Sequence, residues 1–168
     1  ASHNTAVGYN ALLSNTTGSG NIAVGSRALD ACTTGATNIA IGDSALGALT
    51  TTSNNVAIGA ACLEITTGSN NTGIGTYVLD ANTTGEGNVG IGYVALSANT
   101  TGDHNVGIGP SSLQAATTAD YNIGIGYNSM GATTTGGKNI AIGHSAMVAN
   151  TTGAENVMIG YEAGGALT

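Results

Sequence analysis

The stretch Asn88-Val89-Gly90-Ile91-Gly92, followed by Tyr93-Val94-Ala95-Leu96-Ser97-Ala98-Asn99-Thr100-Thr101-Gly102, is one copy of a unit that repeats through the whole chain. Ten copies run from Asn4 to the C-terminus, and nine of them are complete. Successive copies are 17 residues apart, except for one step of 16 between Gly59 and Gly75. A pair of helices with its turns needs roughly 30 residues or more. The short period therefore predicts one coil of a β-solenoid per copy.

We number the positions of each coil from its repeating Asn, so that coil 6 begins with Asn88 at position 1. Positions 2 and 4 carry mostly Ile or Val, and position 3 is Ala or Gly up to Met158. This alternation is typical of a short strand. Position 9 is Leu or Met in the nine complete copies, and position 11 is mostly Ala. We therefore expect an all-β fold, a parallel β-solenoid (β-roll) of about ten 17-residue coils. Each coil would have two short strands, with positions 2, 4, 9 and 11 facing inward.

The charged residues agree with this expected core. Every Asp, Glu, Lys and Arg falls at position 6, 7, 10, 16 or 17. A lone charge inside so thin a core would be strongly destabilising, so their absence from the inward positions is expected.

Two columns repeat without exception and predict the corners of the coil. Position 5 is Gly in all ten copies, as a turn with positive φ requires. Position 1 is Asn in all ten copies, which predicts a structural ladder of stacked Asn side chains. The predicted turn glycines are Gly8, Gly25, Gly42, Gly59, Gly75, Gly92, Gly109, Gly126, Gly143 and Gly160. The predicted ladder is Asn4, Asn21, Asn38, Asn55, Asn71, Asn88, Asn105, Asn122, Asn139 and Asn156.

Composition narrows the classes of partner. The chain has 168 residues, no Phe or Trp, two Lys and Arg residues together and a net charge of −7. We expect one repeat array over residues 1–168, with neither nucleic acid nor a membrane insertion among its interactions. Neither end carries a recognisable cap, so we expect a segment of a longer fibre or a subunit that stacks head to tail.

Candidate catalytic arrangements are weak in this sequence. The three histidines lie in different coils, and no CxxC or HxxxH pattern occurs. Glu64 and Asp80 share position 10 on adjacent coils, where an acidic solvated edge is favoured over a catalytic pair. Cys32 and Cys62 are interpreted as small apolar core residues. We predict a non-enzymatic protein with no cofactor and no metal.

Three surface columns are candidates for function. The Thr-Thr pairs at positions 13 and 14 suggest an ice-binding solenoid as an alternative. The Tyr residues at position 6 either stack on sugar rings or pack at a corner. The small residues at positions 3 and 8 are expected to face outward as smooth strips, which predicts lateral association. The candidate lateral interface is Ala6, Ala23, Ala40, Ala57, Gly73, Gly90, Gly107, Gly124 and Ala141.

The unit Asn-[Ile/Val/Thr]-[Ala/Gly]-[Ile/Val]-Gly, followed by Ala-Leu and Asn-Thr-Thr-Gly, resembles the head repeats of trimeric autotransporter adhesins and the longer-looped repeats of phage tail fibres. The resemblance covers nearly the whole chain. It implies a left-handed parallel β-roll, three chains side by side, and attachment at a cell surface or virion. Adhesin heads use shorter coils than this chain does.

The combined hypothesis is an extracellular segment of an adhesive fibre, either an adhesin head or a tail-fibre shaft, that self-associates as a homotrimer. A host-surface glycan or protein would be its receptor. The alternatives are a structural filament subunit that stacks head to tail and an ice-binding β-solenoid that uses its Thr ladders.

Overall fold

A computed structural model describes residues 1–165, which form one continuous parallel β-solenoid. Each coil contributes one three-residue strand, and the ten strands stack in chain order into a single parallel sheet. Equal positions pair across coils, so that Ile91 lies beside Ile74 and Ile108. The predicted β-solenoid with a spacing of about 17 residues is confirmed. The strands are β1 (Thr5–Val7), β2 (Ile22–Val24), β3 (Ile39–Ile41), β4 (Val56–Ile58), β5 (Thr72–Ile74), β6 (Val89–Ile91), β7 (Val106–Ile108), β8 (Ile123–Ile125), β9 (Ile140–Ile142) and β10 (Val157–Ile159).

The predicted second strand of each coil is absent between residues 1 and 165, where positions 6 to 11 form turns instead. Positions 7 and 9 adopt positive φ in coil after coil, for example 51° at Val94 and 54° at Leu96. This left-handed conformation costs roughly 1 to 2 kcal/mol for a residue with a Cβ. It is held by hydrogen bonds in both axial directions. The Leu96 amide donates to the next coil at Ser112 O (3.0 Å), and the Val94 amide donates to the preceding coil at Thr76 O (3.2 Å).

The inward face of the strand is position 3, and the prediction that positions 2 and 4 face inward is wrong. Ala23, Ala40, Ala57 and Ala141 are fully buried, whereas their Ile and Val neighbours remain partly exposed. Position 8 is also buried, so the expected outward strip there is wrong as well. Position 9 is buried as predicted. Its fully buried members are Leu29, Leu46, Leu63, Leu79, Leu96, Leu113, Met130 and Met147.

The small cross-section of the coil explains why the strand turns its small residues inward. Position 3 packs directly against position 8 of the preceding coil. A Cβ added at Gly73 would lie 2.5 Å from Cys62 Sγ, and one at Gly90 would lie 2.5 Å from Val78 Cγ1. Gly73 and Gly90 thus lie against the larger residues Cys62 and Val78. An Ile or Val side chain would not fit at this place.

The remaining inward column is position 12, and not position 11 as predicted. Position 12 is buried throughout coils 2 to 9, while Ala31 and Ala81 at position 11 stay partly exposed. The 16-residue coil keeps this column filled. Thr66 is buried there and accepts a hydrogen bond from Asn82 Nδ2 at 3.0 Å. The coil is shortened in the exposed Thr-Thr turn, where Thr67 alone bridges to Thr83. The core is therefore unbroken at this coil.

No helix within residues 1–165 has the length and hydrophobicity that a membrane crossing requires.

Candidate functional site

The Asn column at position 1 lies inside the solenoid and joins each coil to the next. Asn88 Oδ1 accepts a hydrogen bond from the backbone amide of Asn105 (2.9 Å), and Asn88 Nδ2 donates one to Gly102 O of its own coil (2.8 Å). The same pair of contacts recurs along the array, for example at Asn21 and Asn122. These side chains are buried from coil 2 to coil 9 and use their polar atoms within the protein. The column therefore acts in folding and offers no surface for a ligand.

The glycines at position 5 permit close approach between coils. Their φ values lie between 121° and 140°, a region that residues with a Cβ rarely adopt. A Cβ added at Gly92 would lie 2.7 Å from the carbonyl carbon of Gly109 in the next coil. These residues are consequently structural as well.

The carboxylates of Glu64 and Asp80 lie close enough to influence one another electrostatically. Burial raises the pKa of Asp80, the backbone amides of Asp80 and Ala81 lower it in part, and the Glu64 carboxylate raises it further. No cluster of three or more metal-ligating side chains occurs within residues 1–165. Glu64 also lines a shallow depression together with Arg27, Asp30 and Ser44.

Asp80→Asn is expected to raise the melting temperature by about 1 to 3 °C at neutral pH. The folded-state pKa lies above the ordinary value of 3.8, so the carboxyl binds its proton more tightly in the folded chain. Its contribution to stability is complete below that value and is lost as the pH rises through the folded-state pKa. The gain from Asn should therefore vanish near about pH 3. Circular dichroism melts at both pH values measure this effect.

The control for this prediction is Asp30→Asn, the same change at position 10 of coil 2. Its neighbours in that column are Leu13 and Gly47, so no second carboxylate is relieved. An equal gain from both substitutions, or a gain at Asp80 that persists in acid, would contradict the electrostatic explanation.

His104 and His144 stack on tyrosine rings, and both cysteines lie in the core. His144 lies between Tyr127 and Tyr161 with ring centroids 5.1 and 5.2 Å apart, and His104 stacks on Tyr121 at 5.1 Å. Cys32 and Cys62 are buried free thiols. Burial raises the pKa of both thiols, that of Cys62 to about 12, so neither forms a thiolate at neutral pH.

Only some hydroxyl groups of the two Thr columns are free to contact a ligand or ordered water. At position 13, most hydroxyls donate to the backbone carbonyl of the same position in the next coil, as Thr83 does to Thr100 (2.8 Å) and Thr100 to Thr117 (3.0 Å). The neighbouring Thr residues at position 14 are exposed. The two columns therefore differ in chemistry, and position 13 is engaged in holding coils together.

The predicted lateral interface is wrong in its residues, because it placed position 3 on the surface. Inside the array these residues are buried against positions 8 and 9 of their own chain, whereas Ala6, in coil 1, is exposed. The buried members are Ala23, Ala40, Ala57, Gly73, Gly90, Gly107, Gly124 and Ala141.

The surface that the strands do expose is a continuous face of β-branched side chains. Ten strands present two outward residues each, at positions 2 and 4, and 18 of these 20 are Ile or Val. Ile41 and Ile74, both inside the array, are 38% and 37% exposed. At about 4.8 Å per coil, the face is roughly 43 Å long. We call it the Ile/Val face.

The sequence contains a signal for this face that our prediction did not use. Glycine at position 3 appears in coils 5 to 8, beginning where position 8 of the preceding coil changes from Ala to Cys62 and Val78. At Cys62 and Val78 this compensation of sizes indicates that positions 3 and 8 touch, which leaves positions 2 and 4 outside. Gly107 after Ala95 and Ala141 after Ser129 do not follow the pattern.

Fold and repeat together define this chain as a tandem-repeat β-solenoid protein. No protein-family model, curated protein or solved structure matches it.

Proposed function

We propose that this chain is a non-enzymatic, extracellular segment of an adhesive fibre that associates laterally through its Ile/Val face, as a homotrimer. The observation that carries the proposal is the extent of that face. Monomeric proteins rarely leave a continuous apolar surface of several hundred Å² in water. The face is uninterrupted by charge from β1 to β10, with only Thr5 and Thr72 among its polar members.

The geometry of the face favours a second copy of the chain as its partner. Rows of Ile and Val repeat at the same axial spacing in every copy, so two or three parallel solenoids match row to row along their whole length. β-branched side chains held on a sheet also lose little further rotamer freedom on association. The resemblance to trimeric adhesin and tail-fibre repeats supports three copies and a role in attachment.

Ile91→Asp is expected to weaken self-association at least 100-fold, because association would bury an unpaired carboxylate. Ile91 is the last residue of β6, and its side chain belongs to the Ile/Val face near the middle of the array. Ser97→Asp is the matched control: it adds the same charge to the same coil at position 10, where Asp30 and Asp80 occur naturally. Light scattering over a range of concentrations, with negative-stain images, measures the mass and shape of each variant.

A discrete mass near three chains for the wild type and Ser97→Asp, reduced in Ile91→Asp, is the expected outcome. A wild-type monomer at all concentrations would contradict the proposal, and thermal hysteresis in that sample would favour the ice-binding alternative. Long filaments that survive Ile91→Asp would favour head-to-tail stacking.

A further inference from the structure

A notch interrupts the corner of the solenoid between coils 7 and 9. Position 16 carries Glu86, Asp103 and Asp120 in coils 5 to 7 and then changes to Gly137 and Ala154. The loss of these side chains opens a cavity of about 240 Å³ beside Tyr121. We call it the Tyr121 notch. This volume is below the roughly 300 to 1,000 Å³ of pockets that bind drug-sized ligands. It is large enough for a ligand with one small ring.

One wall of the notch is an aromatic ring with a free side. Tyr121 at position 17 is 56% exposed, and His104 of the preceding coil covers one ring face at an interplanar angle of 8°. Coils follow one another along the axis, so the opposite face is directed toward coil 8 and the notch. The Lys138 side chain, next in the column, extends onward to Glu155, with Nζ 3.5 Å from Oε1. Tyr121 and Lys138 both line the notch.

The rest of the lining supplies hydrogen-bonding groups of both kinds. Asp120 holds its own position by accepting the Asp103 amide on Oδ1 at 2.8 Å, and its second carboxylate oxygen is available to a ligand. Thr118 and Thr135 add hydroxyl groups, and Lys138 adds an ammonium group. The two acids, Asp120 and Glu155, against one Lys give the notch a net charge of −1.

We propose that the Tyr121 notch binds a neutral pyranose sugar. The apolar face of the sugar ring would lie against Tyr121, and adjacent hydroxyl groups would donate to Asp120 and accept from Lys138. The net negative charge disfavours sugars that carry a carboxylate. This inference deepens the attachment role in the proposed function, because it identifies a ligand class and a site for it.

The other aromatic column, at position 6, does not line the notch. At position 6, His144 is sandwiched between Tyr127 and Tyr161, so its ring presents only its edge to solvent. Position 16 is also small in coils 2 to 4, but position 17 there is Thr37, Asn54 and Asn70 instead of an aromatic residue. Within residues 1–165, Tyr121 is the one Tyr at position 17 that is followed by a small residue, Gly137, at position 16 of the next coil.

The test is a titration of ¹⁵N-labelled full-length protein, followed by NMR. The probes are the methyl glycosides of glucose, galactose and mannose, with sodium N-acetylneuraminate as the anionic comparison. At least one neutral glycoside should shift the amide signals of Thr135, Gly137 and Lys138 in a saturable manner, and N-acetylneuraminate should leave them unchanged. Tyr121→Ala should weaken binding roughly tenfold or more, whereas Tyr121→Phe, which keeps the ring, should retain most of it.

The matched control is Tyr127→Ala, which removes a Tyr of similar exposure that also stacks on a histidine. It should bind the sugar as the wild type does. Asp120→Asn should weaken binding while keeping the contact to the Asp103 amide. Three results would overturn the sugar inference. No neutral glycoside shifts these signals, N-acetylneuraminate binds with an affinity equal to that of the neutral glycosides, or Tyr127→Ala weakens sugar binding as much as Tyr121→Ala does.

The titration is repeated on Ile91→Asp, in which lateral association is expected to be weak. The notch lies on another side of the coil, so the sugar should bind this variant with unchanged affinity. A monomeric wild type would therefore refute the association proposal without affecting this test, and absent sugar binding would leave the mass measurement valid.

Discussion

Gly92→Ala is expected to lower the free energy of unfolding by about 3 to 5 kcal/mol. The φ angle of Gly92 is 122°, which an L-residue with a Cβ adopts only under strain. The added methyl group would also lie 2.7 Å from the Gly109 carbonyl carbon. The backbone of both glycines is fixed by coil-to-coil hydrogen bonds, so neither can move away easily. Urea denaturation followed by circular dichroism measures the loss.

Gly20→Asn is the control for backbone conformation. Gly20 has a φ of 67° at position 17, where Asn54 and Asn70 adopt nearly the same angle. A Cβ there would meet only the Thr37 methyl group at 3.5 Å, an ordinary contact. This variant should keep wild-type stability within about 0.5 kcal/mol. A comparable loss at both sites would show that general sensitivity to substitution, rather than close approach at position 5, governs the result.

Asn88→Ala is expected to destabilise the chain by about 2 to 4 kcal/mol. The substitution removes the acceptor of the buried Asn105 amide and the bond from Asn88 Nδ2 to Gly102 O. Water does not reach this column, so the Asn105 amide would stay unsatisfied in the interior. Native-state hydrogen exchange should show the largest loss of protection at the amide of Asn105 and its neighbours.

The matched control is Asn54→Gly, which removes an exposed Asn from position 17. Asn54 makes surface contacts to Thr37 and Asn70, and its positive φ suits Gly. We expect a change below about 0.5 kcal/mol. A small effect at Asn88, equal to that at Asn54, would contradict the role assigned to the buried column.

The architecture was predictable because it depends on the period, and the period is explicit in the sequence. A 17-residue repeat with an apolar triplet leaves room for one coil and fixes parallel stacking. Asn88 and Gly92 stood out for the same reason, because their columns never vary. These features of the fold needed no knowledge of side-chain direction.

Side-chain direction was the part that general rules predicted wrongly. The expectation that Ile and Val face inward holds for cores wide enough to receive them. Here the opposite wall, with Val78 and Leu79 close behind Gly90, admits only Ala or Gly. The candidate interface was consequently placed on the wrong side of the same strands.

Two other features were hidden for different physical reasons. Position 12 mixes Asn82, Cys32, Leu49 and Thr66, so no hydropathy pattern indicates that it is buried. The left-handed conformation of Leu96 runs against the intrinsic preference of Leu, and contacts with adjacent coils impose it. The Tyr121 notch likewise arises from residues of three successive coils that the stacking brings together.

The left-handed residues at positions 7 and 9 have a consequence for how the molecule comes into being. A coil that contains two such residues is unfavourable in isolation, and its energy becomes favourable only when another coil supplies donors and acceptors above or below it. In the language of helix–coil and Ising theory, intrinsic unit energies are positive and coupling between neighbours is strongly negative. We expect folding of such a chain to be nucleated by a few coils and then to propagate coil by coil. Fragments of one or two coils should not fold stably. Folding is accordingly cooperative along the solenoid axis, because each added coil is stabilised by the coil that is already formed.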